Sequence, residues 1–372
     1  IDIRNSYNDK GVLSKQEQDT NFDTRIDTWI YRNVVSNSIK QIITDRDFDN
    51  SPDSWKDHDS NGTVIALRED NTFDGYVDRT VFFTDGFPSG FEEDNDGDQV
   101  IDRRGTLQKD GTLSSEELLV QGKRQSKAFY RNGEKIQEEE DRSGSGKPDL
   151  ITSFIQGQRK EQKQDTTGDG NFDTLLLFEM NRKKEEKRDT NGDGEFDQFV
   201  TYDGQEIPIL EETDSNFDNN IDFSRALSGG VPLREEEDSD HDFIMDTFTY
   251  YKDGIIDRVE KDTDADSNPN IIISYINSRR VKQTNDRDGD GTPEAITVFD
   301  PEGNPVTISE DTDEDGFRET KSTFLAGILQ STKVDRNKDG TPDILVTYLS
   351  GEPVKTEQDD DFDGNFENLF TT

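Results

Sequence analysis

Cysteine is absent from this 372-residue chain, and histidine occurs only as His58 and His241. No disulfide can brace the fold, and neither a thiolate centre nor a multi-histidine zinc centre can be built. Hydrophobic residues are scarce, 28% against 34% charged, which is too little for the two conventional cores that the length would otherwise suggest. No run approaches the length of an apolar membrane span, so no transmembrane segment is expected. Positive charge is also short: 43 basic residues face 85 acidic ones, for a formal charge of −42. That balance repels nucleic acid and anionic membrane surfaces, and it makes cations the natural partners. Missing too are the G-x-S-x-G, P-loop and H-E-x-x-H motifs, so the chain is expected not to be an enzyme. A chain this acidic would ordinarily lack the apolar surface to offset its own entropy. Something other than a large core must hold it.

What is present is a repeat. Nine-residue segments of the form D-x-[DNST]-x-[DS]-x-x-x-[DEN] begin at Asp19, Asp45, Asp70, Asp94, Asp141, Asp165, Asp189, Asp214, Asp238, Asp262, Asp286, Asp311, Asp335 and Asp359. Successive starts lie 24 to 26 residues apart, except for 47 residues between Asp94 and Asp141. There Glu117–Gln125 takes the place of a loop without its ligand pattern. Residues 1–372 therefore read as a single tandem-repeat array, with 103–140 a degenerate repeat lacking one such loop. Ile1 and Asp2 fit positions 8 and 9 of a repeat, so the chain is expected to be a segment of a longer array.

Each segment is followed by a strand-like run such as Thr174–Phe178 or Ile344–Tyr348, a turn such as Asn132-Gly133, Asp203-Gly204 or Ser350-Gly351, and a more polar second strand. The fold class is all-β: tandem 24-residue hairpins joined by loops, in an elongated or superhelical array. A closed β-propeller is the alternative, but it would need a doubled period that is not visible. Position 14 is aromatic in most units (Phe83, Tyr130, Phe154, Phe178, Tyr202, Tyr251, Tyr275, Phe299, Phe324, Tyr348), which predicts a ladder of rings.

Of the 85 acidic residues, 47 fall at positions 1, 3, 5 and 9 of the 14 segments, a concentration that an ordinary solvated face does not produce. Oxygen ligands at those positions are how a chain wraps calcium, at about one ion per intact loop. The expected ligands are Asp19, Asn21, Asp23 and Asp27; Asp45, Asp47, Asp49 and Asp53; Asp70, Asp74 and Asp78; Asp94, Asp96, Asp98 and Asp102; Asp141 and Asp149; Asp165, Asp169 and Asp173; Asp189, Asn191, Asp193 and Asp197. They continue with Asp214, Asn216, Asp218 and Asp222; Asp238, Asp240, Asp242 and Asp246; Asp262, Asp264, Asp266 and Asn270; Asp286, Asp288, Asp290 and Glu294; Asp311, Asp313, Asp315 and Glu319; Asp335, Asn337, Asp339 and Asp343; and Asp359, Asp361, Asp363 and Glu367. The Asp141 segment, with serines at 143 and 145, should be the weakest site, and the four-carboxylate segments, Asp311 among them, the best. Glycine at position 6 of several segments (Gly170, Gly194, Gly291) suits a sharp turn with positive φ. Position 8 is apolar or proline in all but Arg318.

These loops resemble the D-x-D-x-D-G-x-x-D loops of bacterial aspartate-rich calcium-binding surface repeats, of thrombospondin type 3 repeats and of integrin-α-type hairpins. Dockerins and EF-hands fit less well, because position 12, where they carry a bidentate acid, is Leu176, Val200 or Thr249 and strands follow instead of helices. The resemblance implies an exported, extracellular or cell-surface protein with a structural or adhesive role, such as a filament component. A calcium-dependent module that binds a glycan or host protein is the alternative, and Arg103–Arg131 is where its ligand would be sought. The expected partners are calcium ions, together with self-association or a surface protein, host protein or glycan.

Overall fold

A computed structural model of the chain describes residues 2–371. Among the described residues there is no helix, and hence none long and apolar enough to cross a membrane. The described residues form thirty-one strands, from Asp2–Tyr7 to Asn368–Thr371. The chain divides into two compact units, Ile1–Lys183 and Lys184–Thr372. Each is an antiparallel meander in which a strand contacts only its sequence neighbours. Asp2–Tyr7 pairs with Leu13–Asp19, and Asn368–Thr371 with Glu352–Gln358. Neither gains a second partner among the described residues, so the sheet is left unclosed at its two edges.

The strands follow the local preferences of the sequence. Ile344–Leu349 and Ile271–Ile276 are β-branched and aromatic, and tight turns such as Ser350-Gly351 place φ at 55° and 88° in the left-handed pattern that suits hairpin twist. The turn at Asp203 departs from the two-residue reading. It extends to Ile207, whose N–H meets Asp203 Oδ1 at 3.0 Å, and the positive φ falls on Glu206, not on Gly204.

Position 14 also has a fixed place in the strand pairing, which the sequence did not show, and it is kept where the residue is Arg32, His58 or Leu227. Pairing register shifts immediately before Phe83, Tyr130, Phe154, Tyr202, Tyr251, Tyr275, Phe299, Phe324 and Tyr348. These residues stand at β-bulges, which sharpen twist near the hairpin tip. Several of the rings meet cations: Arg159 lies 4.3 Å from the Phe178 centroid and Arg280 3.8 Å from that of Phe299.

The most deeply buried side chains show what replaces a core. The buried hydrophobic residues are Phe91, Leu119, Ala128, Leu150 and Phe178, and four of these five lie between 91 and 150. Most of the other buried side chains are loop carboxylates, with Asp53, Asp70, Asp343 and Asp359 all below 2% exposed. Carboxylates out of water cost several kcal/mol each unless they are well hydrogen-bonded, so their partners decide how the array holds together.

Candidate metal centres

The loop from Asp335 to Asp343 shows how the partners are supplied. Asp335 Oδ1 accepts the N–H of Lys338 and its Oδ2 that of Gly340, both at 2.8 Å. Asn337 Oδ1 accepts the N–H of Asp339 at 3.0 Å, and Asp339 Oδ1 that of Thr341 at 2.8 Å. Asp343 Oδ2 reaches back to the N–H groups of Arg336 and Asn337 at 2.5 and 3.2 Å. The side chains at positions 1, 3, 5 and 9 thus turn inward together because each is tied to a backbone amide of its own loop.

This arrangement recurs. In all 14 loops the position-1 carboxylate accepts the position-6 amide at 2.7 to 2.9 Å. Positions 4 and 6 have positive φ in every loop. Sequence reasoning found position 6 through its glycines and missed position 4, where Gly97, Gly144, Gly168, Gly192 and Gly289 give the same sign and Phe22, Phe48, Phe73, Phe217 and Phe362 adopt the left-handed region as well. Successive loops are joined by a main-chain ladder, in which the first residue of one loop donates its N–H to the ninth residue of the loop before. Asp45 thus bonds Asp27 O, Asp70 bonds Asp53 O and Asp359 bonds Asp343 O, all at 2.8 Å.

The ladder continues through the degenerate repeat. Leu119 donates to Asp102 O at 2.7 Å and Gln125 O accepts from Asp141 at 2.8 Å, so the substituted segment is Leu119–Gln125, narrower than the Glu117–Gln125 read from the sequence. A two-residue turn, Gln121-Gly122, replaces the loop (φ 50° and 73°). Glu117 instead lies in a strand and pairs with Arg104 and Lys127. Arg103 likewise pairs with Glu93 and Glu116, so much of the positive charge in this segment is internally matched.

Several loops bring carboxylate oxygens within 4.8 Å of one another: Asp286, Asp288, Asp290 and Glu294; Asp359, Asp361, Asp363 and Glu367; Asp45, Asp47 and Asp53; Asp70, Asp74 and Asp78; and Asp94, Asp96 and Asp102. Two oxygens on opposite sides of a calcium ion, each at about 2.4 Å, stand about that far apart. The donor set is hard oxygen throughout and fits calcium; magnesium would demand a tighter octahedron. In the Asp141 loop the Ser145 hydroxyl donates to Lys147 O at 3.2 Å. This engages the position-7 carbonyl that such loops use as a ligand.

The electrostatics differ from one loop residue to another. Burial pushes Asp45 above the ordinary carboxylate value, with the charge of Asp53 adding to the shift. Asp264 is raised by desolvation and by its neighbours Asp262 and Asp266. At position 9 burial acts upward as well, yet donors overcome it. Asp173 is held low by Thr166 and Thr174, Asp246 by Thr247 and Ser239, and Asp27 by Thr20 and Thr28. Asp45 and Asp264 are thus disfavoured as anions by desolvation and by neighbouring charge, while Asp27, Asp173 and Asp246 at position 9 are satisfied as anions.

No protein-family description matches the chain, and neither does any curated protein. Among solved structures, the crystal structure of TcdB2-TccC3-TEV is 11% identical, with 95% of this chain aligned to 24% of that one at a TM-score of 0.19. TcdB2-TccC3 without its hypervariable C-terminal region gives 12%, 95%, 25% and 0.18 for the same quantities. The Photorhabdus luminescens Tc holotoxin pore gives 12%, 96%, 24% and 0.18. The chain spans about a quarter of the length of these structures, and superposition this poor carries no argument about function.

Proposed function

We propose that the chain is a calcium-stabilised, non-enzymatic structural repeat protein of an extracellular or cell-surface assembly, with adhesive or filament-forming use of its hairpin array. The observation that carries this reading is the burial of loop carboxylates, several of them in groups whose oxygens lie within a calcium ion's span. Asp286, Asp288, Asp290 and Glu294 would hold one ion, and the corresponding residues would hold one in each intact loop. Bound calcium would cancel the repulsion within each cluster and move the formal charge from −42 to about −14 if every loop were filled. Loops of this kind in extracellular modules bind at about 10⁻⁴ to 10⁻³ M, a concentration met outside cells and not in cytosol, so export would switch the array to its rigid form. Thermal melts followed by circular dichroism, with calcium and then with chelator, together with elemental analysis, test the reading. A calcium-dependent β signal with about a dozen ions per chain is expected; a fold indifferent to chelator would reduce the loops to turns.

A second reading, a module that binds a glycan or host protein, is favoured by one feature. A hollow of about 450 Å³ lies on the sheet beside the degenerate repeat, lined in part by Phe82, Gly90, Arg104, Thr106, Glu117 and Lys127. Gly90 sits within the strand Phe87–Glu93, where a Cβ would lie 2.8 Å from Gly105 O, so the glycine permits the close strand approach that forms part of the hollow's wall. Glycan-array binding that is lost on Phe82→Ala would move the function to this face.

A further inference from the structure

In several loops position 4 faces the loop before it. A Cβ built on Gly97 would lie 3.8 Å from Asp74 Oδ2, and one on Gly289 would lie 3.6 Å from Asp266 Oδ2; in both cases the neighbour is the position-5 carboxylate of the preceding loop. Glu314, at the same position, reaches back to Arg287 with 3.8 Å between Oε1 and the guanidinium. His241 does likewise, with Nδ1 3.2 Å from Asp222 Oδ1. At most of the other loops this position is phenylalanine or glycine. At 338 it is lysine.

Lys338 Nζ stands 3.2 Å from Asp313 Oδ2 and contacts Asp315 Oδ2. These are positions 3 and 5 of the Asp311 loop, two of its four expected calcium ligands. The direction of the side chain is set by its own loop, because the Lys338 N–H is held by Asp335 Oδ1 at 2.8 Å with φ at 63°. An ammonium tethered within reach of two carboxylates is present at a high effective concentration, so an incoming cation must displace it. It also removes part of the repulsion that would otherwise make calcium binding favourable.

We propose that Lys338 is a built-in counter-ion of the Asp311 loop. This loop, although it is one of the richest in carboxylates, then takes calcium more weakly than its neighbours and tolerates its absence better. The inference rests on the calcium reading above. It reverses the ranking by carboxylate count, because the deciding residue belongs to the next repeat.

The test is calcium titration of the full chain by calorimetry, comparing the parent with Lys338→Met and Lys338→Arg. The methionine keeps the stem and removes the charge; the arginine keeps the charge. The expected result is one additional tight equivalent in Lys338→Met, with that site about tenfold tighter, and parent-like behaviour in Lys338→Arg. In calcium-free buffer Lys338→Met should lower the melting temperature, and adding Asp315→Asn should recover most of the loss. An unchanged number and affinity of sites in Lys338→Met, in a chain that binds calcium elsewhere, overturns the inference alone. Absence of calcium binding in every variant overturns the calcium reading, and the inference with it.

Discussion

At Leu119 the backbone donates to Asp102 O at 2.7 Å, and at Asp70 it donates to Asp53 O at 2.8 Å, so both residues occupy the same rung of one ladder. Both are buried, at 8% and 1% exposed. Their chemistry is opposite. Leu119 is followed by a two-residue turn and lies in the stretch that also supplies the buried Phe91, Ala128 and Leu150. Asp70 is followed by a nine-residue loop, and its oxygens take the amides of Phe73 and Gly75 at 2.6 and 2.8 Å. The comparison teaches that the hairpin junction does not require carboxylates. A leucine and a tight turn close it without charge, so the acidic loops carry their carboxylates for a separate reason, which under the proposed function is an ion.

Chelation should break the comparison most strongly. In hydrogen exchange with excess chelator, the amides at positions 4 and 6 of the acidic loops, such as Phe73 and Gly75, are expected to lose protection, while the Leu113–Val120 and Lys123–Arg131 pair keeps more of its own. Each filled site would have contributed about 1 to 3 kcal/mol at calcium concentrations well above its dissociation constant, so the summed loss is the largest effect expected. Uniform protection with and without calcium would place the stability in the strands alone.

Exchanging the two rung residues should come next. Leu119→Asp buries a carboxylate with no loop amides to receive it, at a cost of about 3 to 5 kcal/mol. Asp70→Leu leaves the Phe73 and Gly75 amides without partners, at about 2 to 4 kcal/mol, and should also remove one calcium from the elemental count. Denaturant melts of both variants read the two costs. If Leu119→Asp were as stable as the parent, the apolar character of that rung would have no structural meaning. Replacing Leu119–Gln125 with the sequence of Asp189–Asp197 sharpens the point, since it should restore a loop and add one ion per chain.

Much of this was legible in the sequence. The 24-residue period, the strand after position 9 and the inward set at positions 1, 3, 5 and 9 all leave compositional traces, because strand, turn and ligand chemistry each restrict residue type. Position 4 left a trace that went unread, since glycine stands there at 97, 144, 168, 192 and 289. Its left-handed backbone is held by the hydrogen bonds to Asp19, Asp45 and their counterparts, so phenylalanine is tolerated there as well and dilutes the glycine signal. The bulges before the position-14 aromatics were silent, since register is a property of two strands, and the link from Lys338 to Asp313 spans a full repeat. Ranking sites by their own carboxylates misses that contact.

Acidity should separate the two kinds of junction more gently. Asp173 and Asp246 are held below the ordinary value of 3.8, so the stability they contribute is complete above about that pH and is lost as pH falls through their lower folded values. Asp45, raised by burial and by Asp53, runs the other way, and its protonation relieves repulsion. In calcium-free buffer the melting temperature is expected to fall as pH drops below about 3.8 and through the lower folded values of Asp173 and Asp246. Thr166→Val should flatten the fall by removing a donor to Asp173, whereas Leu119→Ala should lower the whole curve without changing its slope. A slope unaffected by Thr166→Val would detach position 9 from the acid response.

The smallest effect expected is at His241, which bridges from its own loop to Asp222 of the loop before. Its hydrogen bond to Asp222 raises it above the ordinary 6.5, with the charges of Asp222, Asp238 and Asp218 adding to the shift. Whatever the bond contributes is therefore present below about pH 6.5 and is lost as pH rises through the higher folded value. Because the imidazole is exposed, the change in melting midpoint should be about 1 °C or less. Calcium at the Asp214 loop would compete for the same Asp222 oxygen, so saturating calcium should lower the histidine titration midpoint measured by NMR. Leu119–Gln125 has neither an imidazole nor an acid, so amides there should show no shift over the same range. A His241 midpoint indifferent to calcium would mean that Asp222 is not a ligand in that loop.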